Sequence, residues 1–401
     1  MSLKGKLPAG IVVLFALAHL AHHLVTALPI PLLPFIRDEF ALDYTRAALV
    51  VSAFSIPYGF SQLPAGWLAD RFGARRLLLV GISGVALTGL MVGLSLSYTM
   101  LLVSLALMGL LGGGYHPAAP SVISRLVDPA RRGSALGIHM IGGSVSYFVA
   151  PLAAAALAAV WGWRMPFMGL AVPALIFGMG FFVLLGRRER AVSTPASPMP
   201  SDDEQWSGSE DEFRIDWPRM ATFLVLTSIT AAAVLAVVAF IPLYLVDVYG
   251  YLEHNAAVAV ALFYSTGLWA ALLGGYLSDR IGRVRVVVAF ALLSGPALMV
   301  LSFVNSGVIV MGLLLLLGAG MYARAPASES YVVKHTPRGK RSSLLGLYFF
   351  GSIEGSGMLA PVVGFLIDRF GFTIAFTSTG VVLLIISGVC AILLLHGSSR
   401  D

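Results

Sequence analysis

Apolar runs of about 20 residues, the length a helix needs to cross a bilayer, recur along nearly the whole chain. No other feature constrains the fold as much. A backbone in lipid must satisfy its own hydrogen bonds, which leaves only helices or a closed barrel. The even ten-residue alternation of a barrel strand is absent from this sequence. Breaks at charged and Pro/Gly-rich points divide the 401 residues into twelve candidate spans, at 9–36, 45–69, 77–96, 99–126, 134–158, 165–185, 219–246, 255–277, 286–304, 307–333, 343–367 and 374–396. Charged residues make up 11% against 58% hydrophobic, roughly half the charged share of a soluble protein. The N-terminal segment has the layout of a signal sequence, but its apolar run continues past Pro29 without a clear cleavage site and is read as the first span. The single cysteine, Cys390, lies in an apolar run and permits no intramolecular disulfide.

The formal net charge of +6 does not point to nucleic acid, because of where the charge sits. With both termini placed in the cytoplasm, 21 of the 26 Lys and Arg residues fall in cytoplasmic segments. The outer loops hold only Arg37, Arg46, Arg164 and Arg369, and Arg324 alone lies inside a span. That asymmetry is a topology signal, so the expected location is a bacterial-type plasma membrane, crossed many times. Residues 187–218 form the one long polar stretch, rich in Ser and Pro and then acidic, and read as a flexible cytoplasmic linker.

Adding 209 to positions in the first half lands repeatedly on the same residue type in the second. Gly66, Asp70, Arg71 and Gly73 map to Gly275, Asp279, Arg280 and Gly282; Gly109 maps to Gly318 and Pro117 to Pro326. One offset matching glycines, prolines and loop charges implies two parallel six-span halves, an arrangement that forms an alternating-access site between them. The expected fold class is therefore all-α membrane protein, with twelve transmembrane helices in two pseudo-symmetric six-helix bundles: 1–186, the linker 187–218, and 219–401.

The loops Gly66–Arg76 and Gly275–Arg285 both resemble the Gly-x-x-x-Asp-Arg-x-Gly-Arg/Lys signature of the major facilitator superfamily. The resemblance covers the entire chain and implies that Asp70 and Asp279 help hold a cytoplasmic gate shut. Physically, the Gly lets a neighbouring helix approach, and the Asp, four residues on, can accept from a helix N-terminus or an Arg. A third look-alike, Gly364 to Gly371 with Asp368-Arg369 on the outer side, reads as a helix terminator. His19-Leu20-Ala21-His22-His23 and Gly114-Tyr115-His116-Pro117 also resemble the fosmidomycin-resistance branch.

An ionised side chain at the bilayer centre costs about 2.5–3.5 kcal/mol on insertion scales, so each one calls for a reason. The candidates are Arg324, Glu354, Glu329, the His19/His22/His23 set at i, i+3 and i+4, His116 and His139. In the superfamily, spans 1, 4, 7 and 10 line the central cavity, which implies that His19, His22, His23, His116 and Arg324 face it from opposite halves. Glu354 is read either as a partner of Arg324 or as a proton-titrating carboxylate. No carboxylate or Cys nearby in sequence completes a metal set with the span-1 histidines, so no metal is expected. No enzyme signature and no Walker loop is present, and no cofactor is expected. The expected function is proton-coupled movement of a small, anionic organic solute, with efflux favoured by the branch resemblance. A carboxylate uptake symporter is the alternative, and a non-transporting sensor or assembly factor the alternative of another class. The expected partners are the substrate, protons and membrane lipid, in a monomer.

Overall fold

The computed structural model describes residues 9–128, 131–192 and 215–396. Most of the polar stretch expected to be a linker lies outside the described residues. The first half consists of α1 (Ala9–Thr26), α2 (Leu33–Phe40), α3 (Tyr44–Gln62), α4 (Ala65–Phe72), α5 (Ala74–Leu79), α6 (Val85–Gly93), α7 (Tyr98–Gly112), α8 (Tyr115–Leu126), α9 (Arg132–Trp161) and α10 (Arg164–Val192). The second consists of α11 (Trp217–Ala239), α12 (Ile241–Tyr249), α13 (Glu253–Ser265), α14 (Ala270–Ile281), α15 (Arg283–Leu301), α16 (Gly307–Lys334), α17 (Arg338–Phe349) and α18 (Gly355–Leu395). Helix starts are set locally. The Asp43 side chain accepts from Arg46 N, Ser97 from Met100 N and Asp216 from Arg219 N, each satisfying a donor that an isolated helix end leaves open.

The burial pattern is inverted relative to a water-soluble protein. Large apolar side chains such as Leu272, Val308, Ile176 and Ile392 are exposed, while His19, His22, His23, His139, Arg324 and Glu354 are buried. An apolar outside around a polar inside is what lipid as solvent demands. Among the described residues, eight helices are long and apolar enough to cross a membrane, or nine if the bent pair Glu253–Leu268 and Ala270–Ile281 counts as one. Length and composition alone therefore do not reach the expected twelve. The apolar helix Gly10–Thr26 is shorter than these. The stretch Ser343–Leu395 counts once although it is 53 residues long, about 80 Å at helical rise. Its α18 part breaks at Gly371, where φ is 79°.

The 209-residue repeat is visible in the packing. A Cβ on Gly109 would lie 2.3 Å from the Phe54 carbonyl oxygen, and one on Gly318 would lie 2.4 Å from that of Phe263; both residues of each pair are 209 apart from their counterparts. The same two backbone approaches thus hold α7 to α3 and α16 to α13. Across the halves, α3 packs on α18 and α9 on α13.

Candidate functional site

A cavity of about 250 Å³ lies between the two halves. His19 and His23 of α1, Tyr58 and Gln62 of α3, and His116 of α8 line it from the first half, with Gly143 and Tyr147 of α9; Tyr264, Tyr322 and Glu354 line it from the second. Each histidine is held differently. His19 Nδ1 lies 2.9 Å from the His139 carbonyl oxygen. A carbonyl only accepts, so Nδ1 carries the proton and Nε2 presents a lone pair, and that buried Nε2 has no hydrogen-bond partner. The His19 ring stacks on His139 at 4.3 Å and 16°, and a Cβ on Gly143 would sit 2.5 Å from its Cε1. His23 Nδ1 pairs with Thr26 Oγ1 at 3.0 Å, and its ring packs on Tyr147 at 4.7 Å. Tyr147 in turn meets Tyr264 across the halves at 5.1 Å.

His22 is placed otherwise. Its Nδ1 donates to the Gly81 carbonyl at 2.9 Å, its Nε2 pairs with Tyr58 Oη at 2.9 Å, and its ring stacks on Tyr115 at 4.5 Å and 11°. Gly81 belongs to the π-turn Val80–Gly84, where the helical ladder is interrupted. With both nitrogens committed and no share of the cavity wall, His22 is an anchor between α1, α3 and that turn.

Glu354 ends a second π-turn, Phe350–Glu354, and is 5% exposed. Gln62 Nε2 donates to its Oε1 at 3.5 Å, and no Lys or Arg forms an ion pair with it among the described residues. Of the two readings of Glu354, the pairing with Arg324 is therefore not met among the described residues. Arg324 is 1% exposed but does not line the cavity. Its Nη2 donates to Met321 Sδ at 3.2 Å, Nε and Nη1 have no hydrogen-bond partner, and its charged neighbourhood is Glu329 with Tyr348. The reason is rotation about the helix axis: Tyr322 lines the cavity, and two residues further is about 200° round the helix. Of the aromatic residues on these helices, Tyr58, Tyr264 and Tyr322 line the cavity, whereas Tyr115 lies behind His22, Tyr348 lies by Arg324 and Trp269 is exposed.

The two signature loops lie at one end of the molecule. Asp70 and Asp279 are exposed, and neither has a hydrogen-bond or ion-pair partner among the described residues. Gly66 and Gly275 have no atom within 4 Å of where a Cβ would be, so the close helix approach expected of them is not made here. Gly73 and Gly282 end their helices at φ 86° and 96°, a region that favours glycine. Arg71 lies over the Trp67 ring at 5.5 Å and Arg280 over Tyr276 at 4.6 Å, a contact repeated at the 209 offset. At the opposite end the halves are tied together. Asp368 accepts from Tyr44 N at 2.8 Å, Thr45 N at 2.8 Å and Thr45 Oγ1 at 2.5 Å. Asp247 accepts from Arg37 Nη1 and, at 2.7 Å, from Tyr44 Oη. Asp368 is thus a cap on α3 supplied by the other half, a role the terminator reading of the third look-alike did not contain; Gly371 does break the helix there.

The molecule is thus tied shut at one end, has signature aspartates at the other with no partner among the described residues, and holds a cavity at its centre. The sequence profile of the Major Facilitator Superfamily matches residues 15–268 and 253–401. The chain belongs to that superfamily. This major facilitator is a multi-pass membrane transporter, not an enzyme. It is 26% identical over 368 residues to the probable sulfoacetate transporter SauU of Cupriavidus necator, covering 87% of this chain and 85% of that one. It is 28% identical over 369 residues to the multidrug resistance protein MdtG of Klebsiella pneumoniae, covering 89% and 87%. Its fold superposes on a POT family transporter crystallised with 5-aminolevulinic acid, with TM-score 0.82, 15% identity and 98% coverage of both chains.

Proposed function

We propose that this major facilitator carries a small organic anion together with protons, with Glu354 as the coupling carboxylate. The observation that carries this reading is that Glu354 shares one cavity with His19, His23 and His116 and has no cationic partner there. A carboxylate without a buried counter-charge is best neutralised by a proton. An anion entering the same cavity adds a like charge and favours that protonation further, and by linkage the proton favours the anion to the same extent. Ligands that favour each other in one site travel together. The geometry therefore supports anion–proton symport, the uptake alternative, over efflux: exchange would require anion and proton to oppose each other. The free Nε2 of His19 and the His23 and His116 rings supply protonatable contacts for the anion. Sulfoacetate, the cargo in one relative's name, has the charge such a site takes.

The test is binding of sulfoacetate to the purified protein by calorimetry across a pH series. Affinity should rise as pH falls, by up to about tenfold per pH unit for one coupled proton, and Glu354→Gln should bind with that slope lost. A slope unchanged in Glu354→Gln would exclude Glu354 as the coupling group.

A further inference from the structure

The arrangement of His19, His23 and His116 has a second chemical meaning. Their ligand nitrogens all lie within 4.8 Å of one another, and their ring centroids form a nearly equilateral triangle with sides of 4.9, 5.3 and 5.2 Å. Imidazoles bound to one tetrahedral ion at about 2.0–2.1 Å have nitrogens about 3.3 Å apart and ring centres about 5.1 Å apart. The ring centres already have that spacing, so the nitrogens converge by turning the rings in place, without moving α1 against α8. The outer nitrogens are also arranged as a metal site needs. His19 Nδ1 donates to the His139 carbonyl and His23 Nδ1 pairs with Thr26 Oγ1. Such bonds fix the tautomer and orient a ligating ring. His19 Nε2, the atom left to ligate, is buried and has no other partner. His116 has no side-chain hydrogen bond among the described residues, so its ring is uncommitted. His22, with both nitrogens used, is excluded. The ligand set thus draws on two separate stretches of the chain.

We propose that His19, His23 and His116 form a binding site for a borderline-soft divalent transition cation, such as Zn²⁺ or Co²⁺, inside the central cavity. An all-imidazole set selects such ions over Mg²⁺ and Ca²⁺, which require oxygen ligands. Three ligands leave at least one coordination position for water or a cavity anion, and Glu354 lines the same cavity. The site does not depend on the transport reading, since its occupancy is measured without transport.

The test is titration of chelator-treated, full-length protein in detergent with CoCl₂. The readouts are the visible ligand-field absorption of the bound ion, and the stoichiometry of zinc competing it off. One equivalent with an intense tetrahedral-type band is expected. His19→Gln, His23→Gln and His116→Gln should each weaken binding by more than about 100-fold, beyond the 10–100-fold effect of losing an outer partner. His254→Gln and His396→Gln, away from the cavity, should leave it unchanged. A wild-type protein that binds no stoichiometric Co²⁺ overturns the proposal, as does a band that survives in any folded single variant of the trio. If one variant fails to fold, the other two and the wild-type stoichiometry still decide.

Discussion

The tie at the closed end gives the sharpest quantitative expectation. Asp368 accepts two backbone N–H groups and a hydroxyl at the first turn of α3, all from the other half. Asp368→Ala removes an acceptor for two open N–H groups of the first turn, comparable to losing an N-cap, which costs about 0.5–2 kcal/mol in measured cases, together with the interaction of a negative charge with a helix N-terminus, about 0.3–1 kcal/mol at an exposed site. The bonds are exposed, so we take about 2 kcal/mol in total. All of that loss falls on conformations in which Asp368 reaches Tyr44 and Thr45. The ratio of open to closed at this end should therefore rise about 30-fold, at about 1.4 kcal/mol per factor of ten. Spin labels at Thr99 and Phe303, exposed positions on the two halves, would report the separation by double electron–electron resonance. Asp368→Ala should move the distance distribution to longer values, and Asp247→Ala should do so through its bonds with Arg37 and Tyr44. Because Tyr44 bonds to both aspartates, the double variant should be non-additive. An unchanged distribution in Asp368→Ala and in the double variant would show that these bonds do not hold the end shut.

Three further outcomes are expected. Asp70→Asn and Asp279→Asn should leave this conformation's stability unchanged, since neither carboxylate is partnered in it, yet slow transport by weakening the opposite closed state; unaltered transport in both would reduce the loops to topology markers. Gly109→Ala and Gly318→Ala should each destabilise the protein by about 1–3 kcal/mol through overpacking against the Phe54 and Phe263 carbonyls, while Gly66→Ala, with open space around it, should be near neutral in thermal unfolding. At the closed end, the Arg164 guanidinium hydrogen-bonded to Glu39 holds that carboxyl below the usual range, with Trp163 Nε1 assisting. A lowered carboxyl value contributes stability above the unfolded value and loses it as pH falls through the folded one. Wild type should thus exceed Arg164→Gln in stability at neutral pH, by less than about 1 kcal/mol for a partly exposed pair, and the gap should close in acid; a gap that widens in acid would contradict the assignment.

Some of this was legible in the residues. The apolar runs fixed the environment. The 209 offset anticipated Gly109 and Gly318, because a close backbone approach tolerates no side chain and so leaves the same letter in both halves. The offset also marked Gly73 and Gly282, whose positive φ has the same effect. What was not legible was rotation about each helix axis. In a soluble helix the apolar stripe shows which side faces in, but in a membrane both lipid and protein interior are apolar, and the sequence pattern loses that information. Hence His19, His22 and His23 read as one face, although the structure separates His22 as an anchor from the two that line the cavity. Hence also Arg324 read as a cavity cation, although Met321 and Tyr322 take the cavity side.

That loss of angular information bears directly on mechanism. With Arg324 in the cavity, its charge would have competed with the proton for Glu354, and an anion would act by drawing the Arg away. With Arg324 behind the wall, the proposed anion would act on Glu354 through repulsion alone, in the low dielectric where such repulsion is strongest. Both routes couple anion to proton with the same sign, but they make different demands on Arg324. Its contact with Met321 Sδ and its place beside Tyr348 and Glu329 set it in the helix packing of the second half, off the cavity wall. Substitution there should first lower stability, and should leave the pH slope of binding in place so long as Glu354 and the cavity histidines keep their positions.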